Sequence, residues 1–243
     1  MQRKKIDFLV TVLLLVIGAV ISFYFDPSNP IVYLLYLGIP SLFLIIREKK
    51  NYKKILWGVG VFGALMGGVF DFVAKLNNAW IFTKPMFPNI LIDGWLVENV
   101  LAYVFMTLFV IVFYEHFLDD ERHARLSKSH SKIFLFLLLV IFIVFSLHTF
   151  NPIVLDISYF YLKAGLAAIV FPVLFAFFNP KIIKKFAPLA VFFFFVWLVS
   201  EYIGLHNGNW TFPATHQYLG SVNLLGVHFL LKKFSFGSCG TQL

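Results

Sequence analysis

Three carboxylates lie in or beside long apolar stretches of this chain: Asp71, Glu98 and Glu201. A carboxylate inside an apolar membrane segment is costly, and it usually marks a polar interior or a functional site. Burial also disfavours the charged form of a carboxyl group in general, which is what a proton donor working near neutral pH requires. These residue types in this setting indicate proton-transfer chemistry.

Two of the carboxylates belong to a repeated pattern. Asp71 and Glu201 are each followed nine positions later by a tryptophan that opens a Trp-x-Phe triplet, and the two copies are 130 residues apart. The aromatic members are Trp80 and Phe82 in the first copy and Trp210 and Phe212 in the second. Asparagine precedes each tryptophan, and Asn207 is one of these residues. The spacing predicts two related halves, each with an acid and aromatic rings at one depth.

Structural explanations of the same residues remain open. Lys75 follows Asp71 by four positions, a spacing that allows an ion pair within a helix. Tryptophans near helix ends are also common in the interfacial belt of membrane proteins. Glu98 has no basic residue within one helical turn in the sequence, so it is the best candidate for a functional acid.

Other chemistries have little support. The single cysteine, Cys239, excludes an internal disulfide and a CxxC centre, and no dinucleotide-binding or P-loop motif is present. No Ser-His-Asp signature is present either. His148, His206, His216 and His228 match no metal-ligand spacing, so we expect no metal and no cofactor. His116, His123 and His130 adjoin a charged stretch, and we expect them to be solvated.

The composition requires a membrane. Hydrophobic residues make up 60% of the 243 residues and charged residues 13%, against roughly 25% charged in ordinary globular proteins. About 20 apolar residues are needed to cross a bilayer, and the chain offers eight candidate segments. They are 7–25, 31–46, 55–76, 95–117, 133–150, 157–178, 187–205 and 219–236. The sequence therefore predicts an all-α integral membrane protein with about seven or eight transmembrane helices.

The basic residues predict the orientation. With the N-terminus in the cytoplasm, 17 of the 20 lysines and arginines fall in cytoplasmic turns, as the positive-inside rule requires. The exceptions are Lys75, Lys84 and Lys163. This clustering also argues against a nucleic-acid partner, despite the net charge of +8. We expect both termini to be cytoplasmic and the chain to consist of two parallel repeats of about four helices, 1–125 and 126–243.

These motifs resemble the lycopene cyclase domain family, the membrane-embedded carotenoid cyclases built from two homologous domains. The resemblance covers essentially the whole chain and is clearest from Glu201 to Pro213, through Asn209-Trp210-Thr211-Phe212. It continues from Tyr218 to Gly220 and from Asn223 to Phe229.

The resemblance implies a redox-neutral isomerisation. A proton adds to a terminal double bond of lycopene, the carbocation closes a six-membered β- or ε-ring, and a proton is lost. It implies that Glu98 is the acid, with Asp71 and Glu201 as base or cation stabilisers. Substrate contacts are expected from Trp80, Phe82, Asn99, Trp210, Phe212 and Asn207. The partners implied are a lipid-soluble linear carotenoid, membrane lipids, and a second copy or another cyclase subunit.

The chain departs from the family pattern at the start of the fourth helix of each copy. The family has Pro-x-Glu-Glu there, whereas the first copy keeps only Glu98 and the second copy has Lys232 and Lys233. The second copy also ends before a full eighth helix. Two alternatives therefore remain: a non-catalytic carotenoid- or polyprenoid-binding relative or partner subunit of a cyclase, and a small transporter built from two repeats.

Overall fold

A computed structural model of the chain describes residues 2–47, 52–87, 95–119, 130–178, 180–213, 221–224 and 226–230. Within these ranges the structure has seven long helices. They are α1 (Gln2–Phe25), α2 (Asn29–Arg47), α3 (Tyr52–Leu76), α4 (Val97–Asp119), α5 (His130–Phe150), α6 (Phe160–Phe178) and α7 (Pro180–His206).

Six of the helices are long and apolar enough to cross a membrane: α1 to α5, and α7 from Phe186 to His206. The protein is therefore a multi-pass integral membrane protein, and the prediction of its class is confirmed. The helix boundaries differ from the first seven predicted segments by a few residues. Each helix satisfies its own backbone hydrogen bonds, which is why long apolar sequence becomes helical in hydrocarbon.

The predicted eighth helix is wrong within the described residues. Ser221–Leu224 and Val227–Leu230 form two antiparallel strands, with Leu224 opposite Val227. Gly226 has a φ of +83°, a conformation that glycine adopts without strain and that closes the turn. Polar Ser221, Asn223 and His228 interrupt the apolar sequence and suit an extended segment. Lys232 and Lys233 lie outside the described residues.

Two compact units divide the chain. The first, unit 1, consists of Met1–Leu76 and Lys84–Asp156, and it contains α1 to α5. The second, unit 2, consists of Asn77–Thr83 and Ile157–Leu243. The segment after α3 therefore belongs to unit 2 although the chain on both sides of it belongs to unit 1.

Glycines allow close helix packing in unit 1. A Cβ placed on Gly18 of α1 would lie 2.8 Å from the carbonyl oxygen of Leu35 in α2. A Cβ on Gly63 of α3 would lie 3.1 Å from the carbonyl oxygen of Tyr103 in α4. Small residues let membrane helices approach backbone to backbone, where lipid provides no hydrophobic drive for association. The α3 backbone is π-helical over Val59–Gly67, alongside α4.

Unit 2 contains a short ladder between distant parts of the chain. Strand β1 (Ile81–Phe82) pairs antiparallel with β2 (Trp210–Thr211), and the Ser221–Leu224 and Val227–Leu230 strands, β3 and β4, form the separate hairpin. Ile81 lies opposite Thr211, and Phe82 lies opposite Trp210. The backbone N–H of Thr83 extends the pairing by donating to the carbonyl oxygen of Asn209 at 3.1 Å.

Charged side chains connect four helices at one end of unit 1, which we name the basic end. Asp7 of α1 accepts a hydrogen bond from Nε of Arg47 at 2.6 Å, and its other oxygen lies 3.1 Å from Nε2 of His116. Lys54 of α3 lies 2.5 Å from Glu115 of α4. Asp7 and His116 are buried, so the expectation that His116 is solvated is wrong. Sequence hydropathy could not reveal that α1 supplies His116 with a partner.

The basic end predicts unequal costs for two aspartate substitutions. Asp7→Asn removes a buried charge from Arg47 and His116, and we expect it to lower the free energy of unfolding by about 2–3 kcal/mol. The measurement is unfolding of the purified protein by SDS in mixed micelles.

Asp26→Asn is the matched control. Asp26 pairs with Lys84 at 2.6 Å, but both side chains are substantially exposed. Such exposed pairs contribute less than about 1 kcal/mol. Equal losses for the two variants would contradict the importance assigned to Asp7.

Candidate functional site

Glu98 lies in the first turn of α4, at the end of unit 1 opposite the basic end. Leu96 is extended, so the helix begins immediately before the carboxylate, and an acidic residue is favourable there because of the helix dipole. The side chain is completely buried. Its Oε1 accepts a hydrogen bond from the backbone N–H of Phe87 at 2.6 Å. Its Oε2 has no hydrogen-bond partner among the described residues.

Asp71 is held close to the same turn of α4. It lies near the end of α3, also completely buried, and its Oδ2 accepts two hydrogen bonds. The donors are Nε1 of Trp95 at 2.8 Å and Nδ2 of Asn99 at 2.7 Å. Because Asn99 follows Glu98 in sequence, this pair of hydrogen bonds connects the end of α3 to the helix turn that carries Glu98.

Aromatic rings surround the Asp71 side of this cluster. Phe72 lies edge-on to Trp95, with ring centroids 5.8 Å apart. It also stacks on Phe145 of α5 at 5.0 Å, and the ring of His148 lies edge-on at 5.1 Å. The cluster therefore combines two carboxyl groups with the aromatic faces that favour a nearby cation.

Unit 2 contains the second repeated acid. Glu201, near the end of α7, is 4% exposed and accepts a hydrogen bond from Nε1 of Trp210 at 3.3 Å. The indole of Trp210 packs directly on Gly204, one turn after Glu201. The nine-residue spacing thus places Trp210 against the face of α7 that carries Glu201.

The remaining predicted substrate contacts also lie in unit 2. Phe82 is buried, with its ring 6.1 Å from Trp210 and 5.7 Å from the half-buried Trp80. Phe212 follows β2 and is half-buried. Asn207 caps the end of α7, where its N–H donates to the carbonyl oxygen of Ile203 and its Oδ1 lies 3.1 Å from Nδ1 of His206.

The structure therefore groups Asp71, Glu98 and Asn99 in unit 1, and the other six predicted site residues in unit 2. Sequence reasoning did not include Trp95 or Phe87. Trp95 lies four residues before Asn99, a spacing that would have suggested a shared target. The Phe87 contact uses only its backbone and leaves no sequence signal.

Asn29 is a further buried polar residue that sequence reasoning missed. It begins α2, at the same end of unit 1 as Glu98, and is 1% exposed. Neither polar atom of its side chain has a hydrogen-bond partner among the described residues. In the part of the chain that the structure describes, no three metal-binding side chains cluster.

No known protein family, curated protein or solved structure matches this chain.

The packing of Trp210 on Gly204 predicts that a single methyl group will disturb the Glu201 site. Gly204→Ala places its Cβ within the indole ring position, so Trp210 must move away from Glu201. We expect a loss of about 1–3 kcal/mol in the free energy of unfolding by SDS.

Gly60→Ala provides the control. A Cβ on Gly60 of α3 would meet nothing within 4 Å, and alanine is the better helix former by about 0.5–1 kcal/mol. This variant is expected to be neutral or stabilising. An equal loss in both variants would show that the Trp210 contact is not responsible.

Proposed function

We propose that the protein catalyses the redox-neutral, acid-catalysed cyclisation of the ends of lycopene or a related linear carotenoid to β- or ε-rings. The observation that carries this proposal is the state of Glu98. It is a completely buried carboxyl group with one oxygen anchored by the N–H of Phe87 and the other without a hydrogen-bond partner in the described residues.

The geometry of Glu98 suits protonation of a carbon–carbon double bond. A proton donor for such a weak base must present an oxygen to the substrate rather than to water or to a counter-ion. The Phe87 hydrogen bond fixes the orientation of the carboxyl group, and burial excludes water from it. Atoms and charge balance without a cofactor, because the proton given to the alkene is matched by one lost from the ring.

Asp71 and Asn99 have positioning or stabilising roles in this proposal. Asp71 accepts hydrogen bonds from Trp95, just before α4, and from Asn99 in its first turn, so it fixes the backbone that carries Glu98. The carboxyl oxygens of Asp71 and the rings of Phe72 and Trp95 favour positive charge nearby. The cluster thus supplies an acid, a second carboxyl group and aromatic faces.

The two-repeat architecture is part of the same proposal. Ile81 and Thr211 occupy equivalent positions of the repeated pattern, and they lie directly opposite each other in the β1–β2 ladder. When residues at the same position of two repeats are partners in an antiparallel ladder, a local two-fold axis relates the two strands. Two parallel repeats are expected to be related by such an axis. In the second repeat the β3–β4 hairpin occupies the sequence expected for a fourth helix. Glu98 is therefore the acid of this chain, and Glu201 has an auxiliary role.

We also propose that the N-terminus is cytoplasmic. Arg47, Lys53 and Lys54 lie at the basic end of unit 1, consistent with the positive-inside rule. Glu98 then lies toward the outer leaflet, where a carotenoid dissolved in the bilayer reaches it laterally.

Glu98→Gln tests the proposed acid. Glutamine has the same shape and keeps an oxygen that accepts from Phe87, but it has no acidic proton. We expect cyclised product to fall by about 10²–10⁴-fold. The measurement is pigment chromatography of lycopene-accumulating bacterial cells that express the protein, with the membrane-inserted amount quantified.

Glu115→Gln is the matched control, because Glu115 is a buried glutamate at the other end of the same helix. We expect it to retain cyclisation per inserted molecule. Unchanged product from Glu98→Gln would exclude Glu98 as the acid.

A binding protein without catalytic activity is the second candidate, favoured by the hairpin that replaces a helix of the second repeat. It predicts that wild-type protein purifies with unchanged lycopene and that Glu98→Gln retains the pigment equally well.

A further inference from the structure

A groove of about 760 Å³ lies between α3 and α5 in unit 1, toward the basic end. Trp57, Gly60 and Leu65 line it from α3, and His130, Ser131 and Leu135 line it from α5. Apart from the residues at the start of α5, the lining is mainly hydrocarbon. The groove is distinct from the Glu98 cluster, which lies at the opposite end of the unit.

The two helices that line the groove contact each other at both ends. Phe72 stacks on Phe145 near the Glu98 end, and the rings of Trp57 and His130 meet beside the groove nearer the basic end. Gly60 contributes no side chain, and a Cβ there would meet nothing within 4 Å. The floor is the π-helical part of α3, Val59–Gly67, and such segments are frequent at functional sites.

One end of the groove is polar. The ring of His130 is half-buried and edge-on to Trp57 at 5.9 Å, and its Nε2 lies 3.3 Å from Oγ of Ser131. Lys53 is exposed and lies four residues before Trp57, on the same helix face. Lys132 is also exposed, next to Ser131. Hydrogen-bonding groups and positive charge therefore meet a hydrocarbon groove at the basic end.

We propose that this groove binds an anionic phospholipid, with one acyl chain along Gly60 and Leu65 and its phosphate beside Ser131, His130 and Lys53. Charge complementarity identifies the occupant, because the exposed ammonium groups of Lys53 and Lys132 at this end of the groove attract an anionic headgroup. Basic residues near a membrane surface contribute about 1 kcal/mol each toward anionic lipids. The site is independent of the proposed catalytic activity.

Quenching of tryptophan fluorescence by brominated lipid tests this proposal. The full-length protein is reconstituted in phosphatidylcholine vesicles containing either brominated-chain phosphatidylglycerol or brominated-chain phosphatidylcholine. We expect the brominated phosphatidylglycerol to reach half-maximal quenching at about a tenfold lower mole fraction. Trp57→Phe should remove this high-affinity component, because Trp57 lines the groove.

Two pairs of variants test separately the binding of the acyl chain and the binding of the lipid headgroup. Gly60→Phe fills the groove and should abolish the preference for phosphatidylglycerol, whereas Met66→Phe, at an exposed position of α3 outside the groove lining, should retain it. Lys53→Gln should reduce the preference several-fold, whereas Lys163→Gln, at an exposed position of α6, should not.

Equal quenching by the two brominated lipids in the wild-type protein would overturn the proposal. It would show that the groove accepts acyl chains without selectivity for the lipid headgroup. A preference for phosphatidylglycerol that persists in Gly60→Phe would also overturn it. If Gly60→Phe does not fold, the comparison of Lys53→Gln with Lys163→Gln decides the outcome.

Discussion

Asp7 is a buried carboxylate at the junction of α1, α2 and α4, and the arrangement of unit 1 depends on how that carboxylate is satisfied. Because Asp7 is buried away from water, Arg47 and His116 supply the hydrogen bonds that water would otherwise provide. Each partner lies at the end of its own helix, which fixes how far the three helices slide along one another. Lys54 and Glu115 do the same for α3 and α4. Because helices are stiff, a register fixed at the basic end also determines which residues meet at the far end.

At that far end the two carboxyl groups have different surroundings. Asp71 accepts two side-chain hydrogen bonds through one oxygen and fastens α3 to α4. Glu98 accepts one hydrogen bond from the backbone and keeps an oxygen without a partner in the described residues. A buried polar group that lacks a hydrogen bond costs about 1–3 kcal/mol of folding free energy. Such a group therefore calls for an explanation, and a functional role is one. In the proposed mechanism, this difference in hydrogen-bond donors gives Asp71 a positioning role and Glu98 the role of proton donor.

The sequence predicts eight candidate helices, and the seven that the structure contains form because a long apolar segment in a membrane must satisfy its own backbone hydrogen bonds. It does not predict the β3–β4 hairpin, because the Ser221–Leu230 region is short, mixed in polarity and turned by Gly226. The acids of the site are visible as charges in apolar sequence. Other residues with a role are harder to recognise from the sequence. His116 meets Asp7 only through the register of the helices, and Trp95 reaches Asp71 only from the segment before α4. The Phe87 contact involves the Phe87 backbone alone, and the groove beside Gly60 depends on how α3 and α5 pack. None of these leaves a periodic signal.

The β1–β2 ladder has a consequence for the order in which the protein is made. Ile81 leaves the ribosome 130 residues before its partner Thr211, after α3 of unit 1 and before α6 and α7 of its own unit. Until β2 has been synthesised, the N–H and C=O groups of β1 lack the ladder that satisfies them. Unit 2 therefore acquires its β1–β2 ladder only after β2 has been synthesised. If the chain were cut between α5 and α6, the N-terminal fragment would carry β1, and the C-terminal fragment would carry β2 without its partner strand.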